Sequence, residues 1–265
     1  MTELFEVRGL SKSYGRGSSK KFAIRDITLD FPAHQSIGIV GESGSGKSTL
    51  ARCLVGLVKP DAGEIFYKGK NVSTFTDQDF RKFRQEVQMV FQDPYSSLNP
   101  RMKVREIVGE GIEVFRLANN KEELFAKTKL ALNQVGISDE MFGRYPRQFS
   151  GGQRQRISIA RSLAVSPEVF ICDEPVSSLD VSIQAQILNL LKDLSRDLSL
   201  SMIFISHDLG VIRYIADYIV VMQNGQVQEQ GTPEQIFENP TSEYTKSLLN
   251  AVPIPDPRIQ RNRFA

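Results

Sequence analysis

A glycine- and serine-rich segment that ends in a lysine and two hydroxyl residues, GESGSGKST at residues 41–49, has the composition of a loop that binds a polyphosphate. In such a loop the backbone N–H groups surround the phosphates, and the following helix directs the positive end of its dipole at them. Lys47 would place its ammonium near the β- and γ-phosphates, and the hydroxyl of Ser48 is suited to bind Mg²⁺. At Gly41, Gly44 and Gly46 a Cβ would block close approach of the backbone.

The alternative for this segment is a surface turn that binds nothing. The flanking residues favour the phosphate-binding loop, because the apolar run of residues 37–40 predicts a strand before it and the pattern of residues 48–57 predicts a helix after it. The sequence therefore predicts a nucleotide site.

Two adjacent carboxylates, Asp173 and Glu174, follow the apolar run of residues 169–172. At the end of a buried strand, Asp173 would hold Mg²⁺, and Glu174 would orient and polarise the water that attacks the phosphate. Acidic residues also end strands as solvated turn formers, which is the alternative for this pair. The phosphate-binding loop upstream favours the functional interpretation.

The segment FSGGQRQRISIARSLA, residues 149–164, predicts a second helix N-terminus with exposed amides. Its helix would bury Ile157, Ala160 and Ala164. A plain capped helix start is the alternative, since Ser is a favoured N-cap. One phosphate-binding loop does not need a second anion-binding element, so this segment requires an explanation of its own.

Composition limits the class of protein. The chain has 265 residues, of which 40% are hydrophobic, and a formal net charge of +2 without a dense basic block, which argues against nucleic-acid binding. Its two cysteines, Cys53 and Cys172, lie in apolar surroundings and are expected to be buried thiols in a reducing cytosol. The N-terminus does not resemble a signal peptide and no apolar run approaches a membrane span, so we expect a soluble, cytoplasmic protein.

The elements that must position these residues follow from the hydrophobic pattern. Residues 3–38 alternate polar and apolar around a turn at 15–21 and predict a short antiparallel sheet. Helical patterns fill residues 93–155, where Leu124, Lys127, Leu130 and Ala131 recur at helical spacing. Apolar strands at 87–92, 169–174, 201–206 and 218–225 alternate with helices, one with a buried stripe of Ile183, Ile187, Leu190, Leu191 and Leu194, and predict a parallel sheet covered on both faces.

Taken together, the motifs resemble those of the ATP-binding subunits of ABC transporters. They occur in order as GESGSGKST (41–49), Gln92 in VFQDP, FSGGQ (149–153), VFICDEP (169–175), SSLD (177–180) and SHD (206–208). The resemblance covers residues from about 4 to 230. It implies an α/β fold with a P-loop NTPase (RecA-like) core, a mostly parallel sheet, an N-terminal antiparallel β subdomain and an inserted helical subdomain at about 93–155. The ATPase domain would span residues 4–250, followed by a proline-rich tail at 251–265.

The resemblance also assigns roles to matching positions. Tyr14 would stack on adenine, although a half-buried strand tyrosine is the alternative. Gln92 would sense Mg²⁺ and water, and His207 would contact the γ-phosphate and position the water with Glu174. Asp173, Ser48 and Gln92 would form the metal site. The implied nucleotide-binding set is Tyr14, Gly41, Glu42, Ser43, Gly44, Ser45, Gly46, Lys47, Ser48, Thr49, Ser150, Gly151, Gly152, Gln153 and Asp180.

The same family explains the second anion-binding helix. Two ATPase subunits would face each other head to tail, with each ATP between the phosphate-binding loop of one and the Ser150–Gln153 segment of the other. Asp180 would help to order the opposing site. The facing subunit could be an identical copy or a paralogue. The implied cofactors are ATP and Mg²⁺.

Residues 92–104 and 239–257 are similar to ATPase subunits of the peptide/nickel importer group. The chain has no cysteine after Cys172, so the iron–sulfur cluster of some members is not expected. The resemblance implies peptide uptake, membrane permease partners docked near residues 91–100, an indirect link to an extracellular or periplasmic solute-binding protein, and a peripheral location at the cytoplasmic face of the membrane. The alternatives are an importer for another solute such as nickel, a soluble ABC-type ATPase without a transport role, and a small-molecule kinase.

Overall fold

The computed structural model of the chain describes residues 3–15, 20–93 and 97–251. The strands are β1 (Glu3–Tyr14), β2 (Lys21–Pro32), β3 (Ser36–Val40), β4 (Ala62–Tyr67), β5 (Lys70–Asn71), β6 (Val87–Val90), β7 (Val169–Asp173), β8 (Ser201–Ser206), β9 (Tyr218–Gln223) and β10 (Gln226–Gly231). The α-helices are α1 (Lys47–Leu54), α2 (Asp77–Glu86), α3 (Val104–Phe115), α4 (Lys121–Gln134), α5 (Gly151–Leu163), α6 (Val181–Asp197), α7 (Leu209–Ile215), α8 (Pro233–Glu238) and α9 (Glu243–Ala251).

The strands form two sheets. A 4-stranded antiparallel sheet has the order β2-β1-β4-β5, and a 6-stranded sheet has the order β10-β9-β3-β8-β7-β6. In the larger sheet β6, β7, β8, β3 and β9 run parallel, and β10 pairs with β9 in the antiparallel direction. The predicted fold class is confirmed, with an antiparallel N-terminal sheet beside a mostly parallel one.

The larger sheet is buried on both faces. Successive residues of β7 alternate between two apolar clusters, because neighbouring side chains of a strand point to opposite sides. Ile171 joins the cluster formed with α1 and the antiparallel sheet, and Phe170 joins the cluster formed with the other helices. Burial on both faces explains why the central strands read as continuous apolar runs.

Helix α1 is shorter than the sequence pattern predicts. The predicted segment of residues 48–57 is helical from Lys47 to Leu54. Gly56 adopts a φ of 70°, in the left-handed region where helices commonly end at glycine. Cys53 in α1 and Cys172 in β7 are buried free thiols, as predicted, and burial raises the pKa of Cys53 to about 11.

The predicted helical segment of residues 93–155 contains α3, α4 and the beginning of α5, which continues to Leu163. One feature of its pattern is misleading. Leu130 on α4 is 60% exposed, and the buried residues of that helix are Thr128, Ala131 and Leu132. The face of α4 that packs against α3 and α5 is therefore rotated from the one that Leu130 suggests.

The predicted stripe of α6 is largely correct. Ile187, Leu191 and Leu194 are buried, together with Leu188, which the prediction omitted. Ile183 and Leu190 are only partly buried at the edge of the same apolar cluster. The fully buried face of α6 is therefore narrower than the predicted stripe, and Ile183 and Leu190 lie at its margin.

The C-terminal helix α9 ends at Ala251, and the rest of the predicted proline-rich tail lies outside the described residues. The turn predicted at residues 15–21 also falls largely outside them. Among the helices of the described ranges, none has the length and apolarity required to cross a membrane.

Candidate nucleotide-binding site

The segment of residues 41–49 connects β3 to α1 at the carboxyl edge of the larger sheet. Its path depends on glycine. Gly41 lies so close to the neighbouring backbone that a Cβ would sit 2.1 Å from the carbonyl oxygen of Met222, and at Gly46 (φ 102°) a Cβ would sit 2.4 Å from that of Ala23. Gly44 differs, because among the described residues other than its chain neighbours no atom would lie within 4 Å of its Cβ, and its φ of 81° alone favours glycine there.

Gly46 is the N-cap of helix α1 and has no side chain to cap the first N–H groups. The N-cap residue therefore gives these groups no side-chain acceptor, and they lie at the positive end of the helix dipole. This is the local arrangement that binds phosphate.

Lys47 is held inside the loop rather than in solvent, with a residue exposure of 4%. Its Nζ donates hydrogen bonds to the carbonyl oxygens of Gly41 (2.7 Å) and Glu42 (2.8 Å) and to Ser45 Oγ (3.3 Å). Burial lowers the pKa of Lys47, against the opposing influence of nearby carboxylates. An ammonium group that is partly desolvated and bound only by neutral acceptors is well suited to gain from contact with a phosphate oxygen.

Ser48 and Asp173 meet beneath the loop, as the metal-site prediction requires. Ser48 Oγ donates a hydrogen bond of 2.8 Å to Asp173 Oδ1. Burial raises the pKa of Asp173, and the hydrogen bond from Ser48 and the charge of Arg52 only partly oppose this effect. A hydroxyl and a buried carboxylate form the hard oxygen set that Mg²⁺ prefers, and a cation there would relieve the cost of burying the charge.

Glu174 lies at the centre of a second group of side chains. Its Oε2 accepts a hydrogen bond of 3.2 Å from Gln92 Nε2 and lies 3.1 Å from His207 Nδ1. Gln92 Nε2 also approaches Ser177 Oγ at 3.4 Å. The hydrogen bonds of Gln92 thus go to Glu174 and Ser177, and none joins it directly to Ser48 or Asp173.

The backbone of Glu174 has an unusual conformation that aims its carboxylate. Its φ is 47°, a left-handed value that costs free energy for a residue with a side chain. The N–H of Glu174 donates a hydrogen bond of 3.0 Å to the carbonyl oxygen of Ile205 on β8, so the sheet maintains this conformation. The carboxylate therefore faces His207, which follows the same strand β8.

The phosphate-binding loop and the group around Glu174 line one open cavity of about 720 Å³. It is lined by the predicted residues Tyr14, Glu42, Ser43, Gly44, Gly46, Lys47, Ser48, Thr49, Gln92, Glu174 and His207. Gly41, Ser45 and Asp173 are buried. Asp173 lines a second cavity of about 430 Å³, which it shares with Gln92. Tyr14 is at the end of β1 and is 48% exposed, and the Lys12 ammonium lies 5.8 Å from the centre of its ring. Exposed ring surface of this kind is suited to stack on a flat base.

The remaining predicted residues form a separate group. Ser150 caps α5, with its Oγ accepting from the N–H of Gln153 at 3.3 Å and its N–H donating to Gln153 Oε1 at 3.0 Å. Asp180 caps α6, where its Oδ1 accepts from the N–H of Ile183 at 3.0 Å. Hydrogen bonds from the Ile183 N–H and the Ser182 hydroxyl lower the pKa of Asp180.

This second group is compact but lies apart from the cavity. A Cβ on Gly152 would sit 2.5 Å from Ile183 Cγ2, so the start of α5 packs directly on α6. Among the described residues, Ser150, Gly151, Gly152, Gln153 and Asp180 do not line the cavity that contains Lys47. One chain therefore brings together the phosphate-binding loop, Glu174 and His207, and it presents the Ser150–Gln153 helix start at a different place.

Sequence reasoning missed several residues of the site. Ala23 and Leu248 line the cavity, Ser177 contacts Gln92, and Tyr244 accepts a hydrogen bond from the phosphate-binding loop. Local sequence does not identify these residues as part of a site. Ala23 has only a methyl side chain, and Leu248 and Tyr244 lie in the segment 239–257, far from the phosphate-binding loop in the chain. These contacts join residues far apart in the chain, which explains why no spacing rule reveals them.

Comparison with known proteins places this geometry in context. The model of a family described as ABC transporter matches residues 24–177. The oligopeptide transport ATP-binding protein OppF of Bacillus subtilis (strain 168) is 46% identical over 99% of this chain and 87% of its own length. The dipeptide transport ATP-binding protein DppF of Lactococcus lactis subsp. cremoris (strain MG1363) is 45% identical over 99% of this chain and 86% of its own.

Two solved structures are also similar to this fold. An ATP-binding cassette, solved as a dimer in a post-hydrolysis state with ADP and Pi, has a TM-score of 0.79 at 28% identity, covering 87% of this chain and 99% of its own. The structure of cbiO1 from Clostridium perfringens, part of the ABC transporter complex cbiONQ, has a TM-score of 0.82 at 27% identity and covers 100% of both chains.

Proposed function

The chain belongs to the ABC transporter family, and from this premise we propose that it is the ATP-hydrolysing subunit of an importer that takes up peptides. The observation that carries the ATPase activity is the cavity in which the phosphate-binding lysine, Lys47, lies with Glu174, Gln92 and His207. Peptide uptake is supported by the relatives, which are named as oligopeptide and dipeptide transport proteins.

Lys47 and the first N–H groups of α1 bind the β- and γ-phosphates of ATP, and Tyr14 stacks on the adenine. Glu174 accepts a proton from the attacking water as the bond from the γ-phosphorus to the bridging oxygen breaks, giving ADP and phosphate. Ser48 and Asp173, with Gln92 nearby, would hold Mg²⁺, which neutralises phosphate charge when bound. Gln92 and His207 hold the carboxylate of Glu174 toward the γ-phosphate.

The proposed active unit is a pair of ATPase subunits, either identical or paralogous. The separation of the Ser150–Gln153 helix start from its own cavity supports this arrangement, because that helix start is then available to the ATP of a facing subunit. A relative of the same fold is a dimer with ADP and Pi. Loss of the γ-phosphate contact would weaken the interface, so that hydrolysis drives opening.

The permease would dock on the helical segment of residues 93–155, which includes α3 and α4. The protein would then lie at the cytoplasmic face of the membrane and would not enter the bilayer. A cavity of about 450 Å³ lies between α3 and α4, where Met102, Leu124 and Phe125 provide apolar surface beside charged residues such as Glu110 and Lys121. Phe125 is 49% exposed, so its ring contributes accessible apolar surface beside this cavity. A solute-binding protein would interact with the permease and reach this chain only indirectly.

Purification of the tagged chain from detergent-solubilised membranes of its native cell tests this proposal. We expect membrane-embedded permease chains to co-purify with it, together with ATPase activity that depends on Mg²⁺. Phe125→Glu should lose the permease and keep ATP binding, since it places a charge on the docking surface. Leu57→Glu, at a position that is 61% exposed elsewhere on the chain, is the matched control. Recovery of the unmodified chain without any membrane protein would contradict a transport role and favour a soluble ABC-type ATPase.

Substitution of His207 by Ala is expected to reduce ATP hydrolysis by about 10²–10⁴-fold with little change in ATP affinity. The ring contacts the carboxylate that activates water, at 3.1 Å, and the hydrogen bonds of Lys47 do not involve it. The chain has two histidines, so His34→Ala is the natural control. His34 Nδ1 contacts the carbonyl oxygen of Ser199 away from the cavity. Steady-state hydrolysis and equilibrium nucleotide binding should be measured together, and a normal rate for His207→Ala would remove this histidine from the mechanism.

A further inference from the structure

The C-terminal helix α9 contacts the phosphate-binding loop, although 202 residues separate the two contacting groups in the chain. The backbone N–H of Glu42 donates a hydrogen bond of 3.1 Å to the hydroxyl oxygen of Tyr244. Leu248, one turn further along α9, lines the nucleotide cavity. Helix α9 thus forms part of the wall of the site.

The contact fixes a peptide group that also binds Lys47. The N–H of Glu42 and the carbonyl group of Gly41 belong to one planar peptide unit. Tyr244 holds the N–H side, and Lys47 Nζ holds the carbonyl side at 2.7 Å. The carbonyl of Glu42 accepts a further bond from Lys47 at 2.8 Å and one from the N–H of Ser45 at 3.2 Å. Rotation of this peptide plane would break the bonds on both of its sides.

Tyr244 is itself held by the sheet. Glu229 on β10 accepts hydrogen bonds from the N–H of Thr241 (2.7 Å), the hydroxyl of Thr241 (2.8 Å) and the N–H of Ser242 (3.1 Å). These three donors tie the start of α9 to the edge of the larger sheet. The ring of Tyr244 and the side chains of Leu248 and Leu249 pack against the apolar cluster of the helices. The phenol oxygen of Tyr244 accepts the N–H of Glu42, and burial raises the pKa of this hydroxyl.

We propose that Tyr244 is a positioning residue for the phosphate-binding loop, and that through it helix α9 sets the affinity of the loop for the phosphates of ATP. The proposal rests on the proposed function for the identity of the ligand. It assigns to the C-terminal helix a role in nucleotide binding rather than in packing alone. If the Gly41–Glu42 peptide were free to rotate, the carbonyl groups of Gly41 and Glu42 would no longer hold Lys47 in place. Phosphate binding would then have to reorder the loop, and this cost would lower the affinity for ATP.

Tyr244→Phe is the sharpest test, because it keeps the packed ring and removes only the hydroxyl. One net hydrogen bond corresponds to an affinity change of about three- to tenfold, so we expect the Kd and the KM for ATP to rise by that factor while kcat stays within about twofold. The melting temperature should fall by no more than a few degrees, which corresponds to the loss of one hydrogen bond. Tyr214→Phe is the matched control, since its hydroxyl donates to Asn189 Oδ1 at a site away from the cavity.

A second measurement does not depend on nucleotide. Amide hydrogen exchange in the segment of residues 41–46 should become at least about threefold faster in Tyr244→Phe and remain unchanged in Tyr214→Phe, because the Glu42 N–H loses its acceptor. Glu229→Ala, which releases the start of α9, should also make exchange in this segment faster and ATP binding weaker.

The outcomes separate this inference from the proposed function. If the unmodified chain binds ATP and Tyr244→Phe shows normal KM and normal exchange, the positioning role is wrong and the proposed function stands. If exchange accelerates in Tyr244→Phe but the unmodified chain binds no ATP, the loop contact is supported and the proposed function fails. An equal rise of KM in Tyr214→Phe would also overturn the assignment to Tyr244.

Discussion

Replacement of Glu174 by Gln is expected to slow ATP hydrolysis by about 10³-fold, retain ATP binding and cause a closed dimer to accumulate in the presence of Mg²⁺ and ATP. The carboxylate is the candidate base in the cavity, since contacts with Gln92 and His207 fix its position there. An amide of the same shape cannot take a proton from water. The substitution also removes a negative charge from a cavity that must accommodate the phosphates, so bound ATP should persist and hold two subunits together.

The dimer prediction depends on the separation of two elements within one chain. Among the described residues, those that line the cavity with Lys47 do not include the Ser150–Gln153 helix start. A second chain would supply that helix start, and ATP that is not hydrolysed would keep the two chains associated.

Size-exclusion chromatography with and without ATP, combined with single-turnover hydrolysis, measures both effects in Glu174→Gln. Glu168→Gln is a suitable control, because Glu168 directly precedes β7 at the opposite end from Glu174 and pairs with Lys68 at 2.7 Å. Equal dimer fractions with and without ATP in Glu174→Gln would argue against the shared site. Hydrolysis at the normal rate would remove Glu174 from the role of base.

Lys47→Ala is expected to weaken ATP binding by about 10²-fold, as one or two hydrogen bonds from an ammonium to phosphate account for roughly 3 kcal/mol. The fold should be affected much less. Burial lowers the pKa of Lys47, which indicates that the buried charge is costly in the absence of a phosphate. Its removal leaves the carbonyl groups of Gly41 and Glu42 without this donor but also removes that cost.

Isothermal titration with ATP and thermal unfolding should be recorded on the same samples of Lys47→Ala. Lys192→Ala serves as the control, since Lys192 is an α6 lysine whose ammonium lies 4.5 Å from the centre of the Tyr214 ring. ATP affinity close to that of the unmodified chain would refute the assignment of residues 41–49 as the phosphate-binding loop. Loss of folding together with binding would instead show that Lys47 is needed for stability.

The sequence alone determined the features that depend on neighbouring residues. The phosphate-binding loop follows from the composition of residues 41–49, because backbone conformation and the start of α1 are local properties. The strands β7, β8 and β9 follow from apolar runs, since a strand buried on both faces needs such residues throughout. The order of the family motifs then predicted the α/β architecture and the meeting of Ser48 with Asp173 at one edge of the sheet.

The tertiary structure decided the features that depend on distance through space. Leu130 fits the helical spacing, yet it faces solvent because α3 and α5 pack on another side of α4. The N–H of Glu42 donates to Tyr244, and Leu248 lines the cavity. Both contacts require that Glu229 on β10 binds the start of α9 and so holds this helix beside the loop. Such contacts link residues of ordinary type over long stretches of chain, and packing geometry, rather than local conformational preference, selects them.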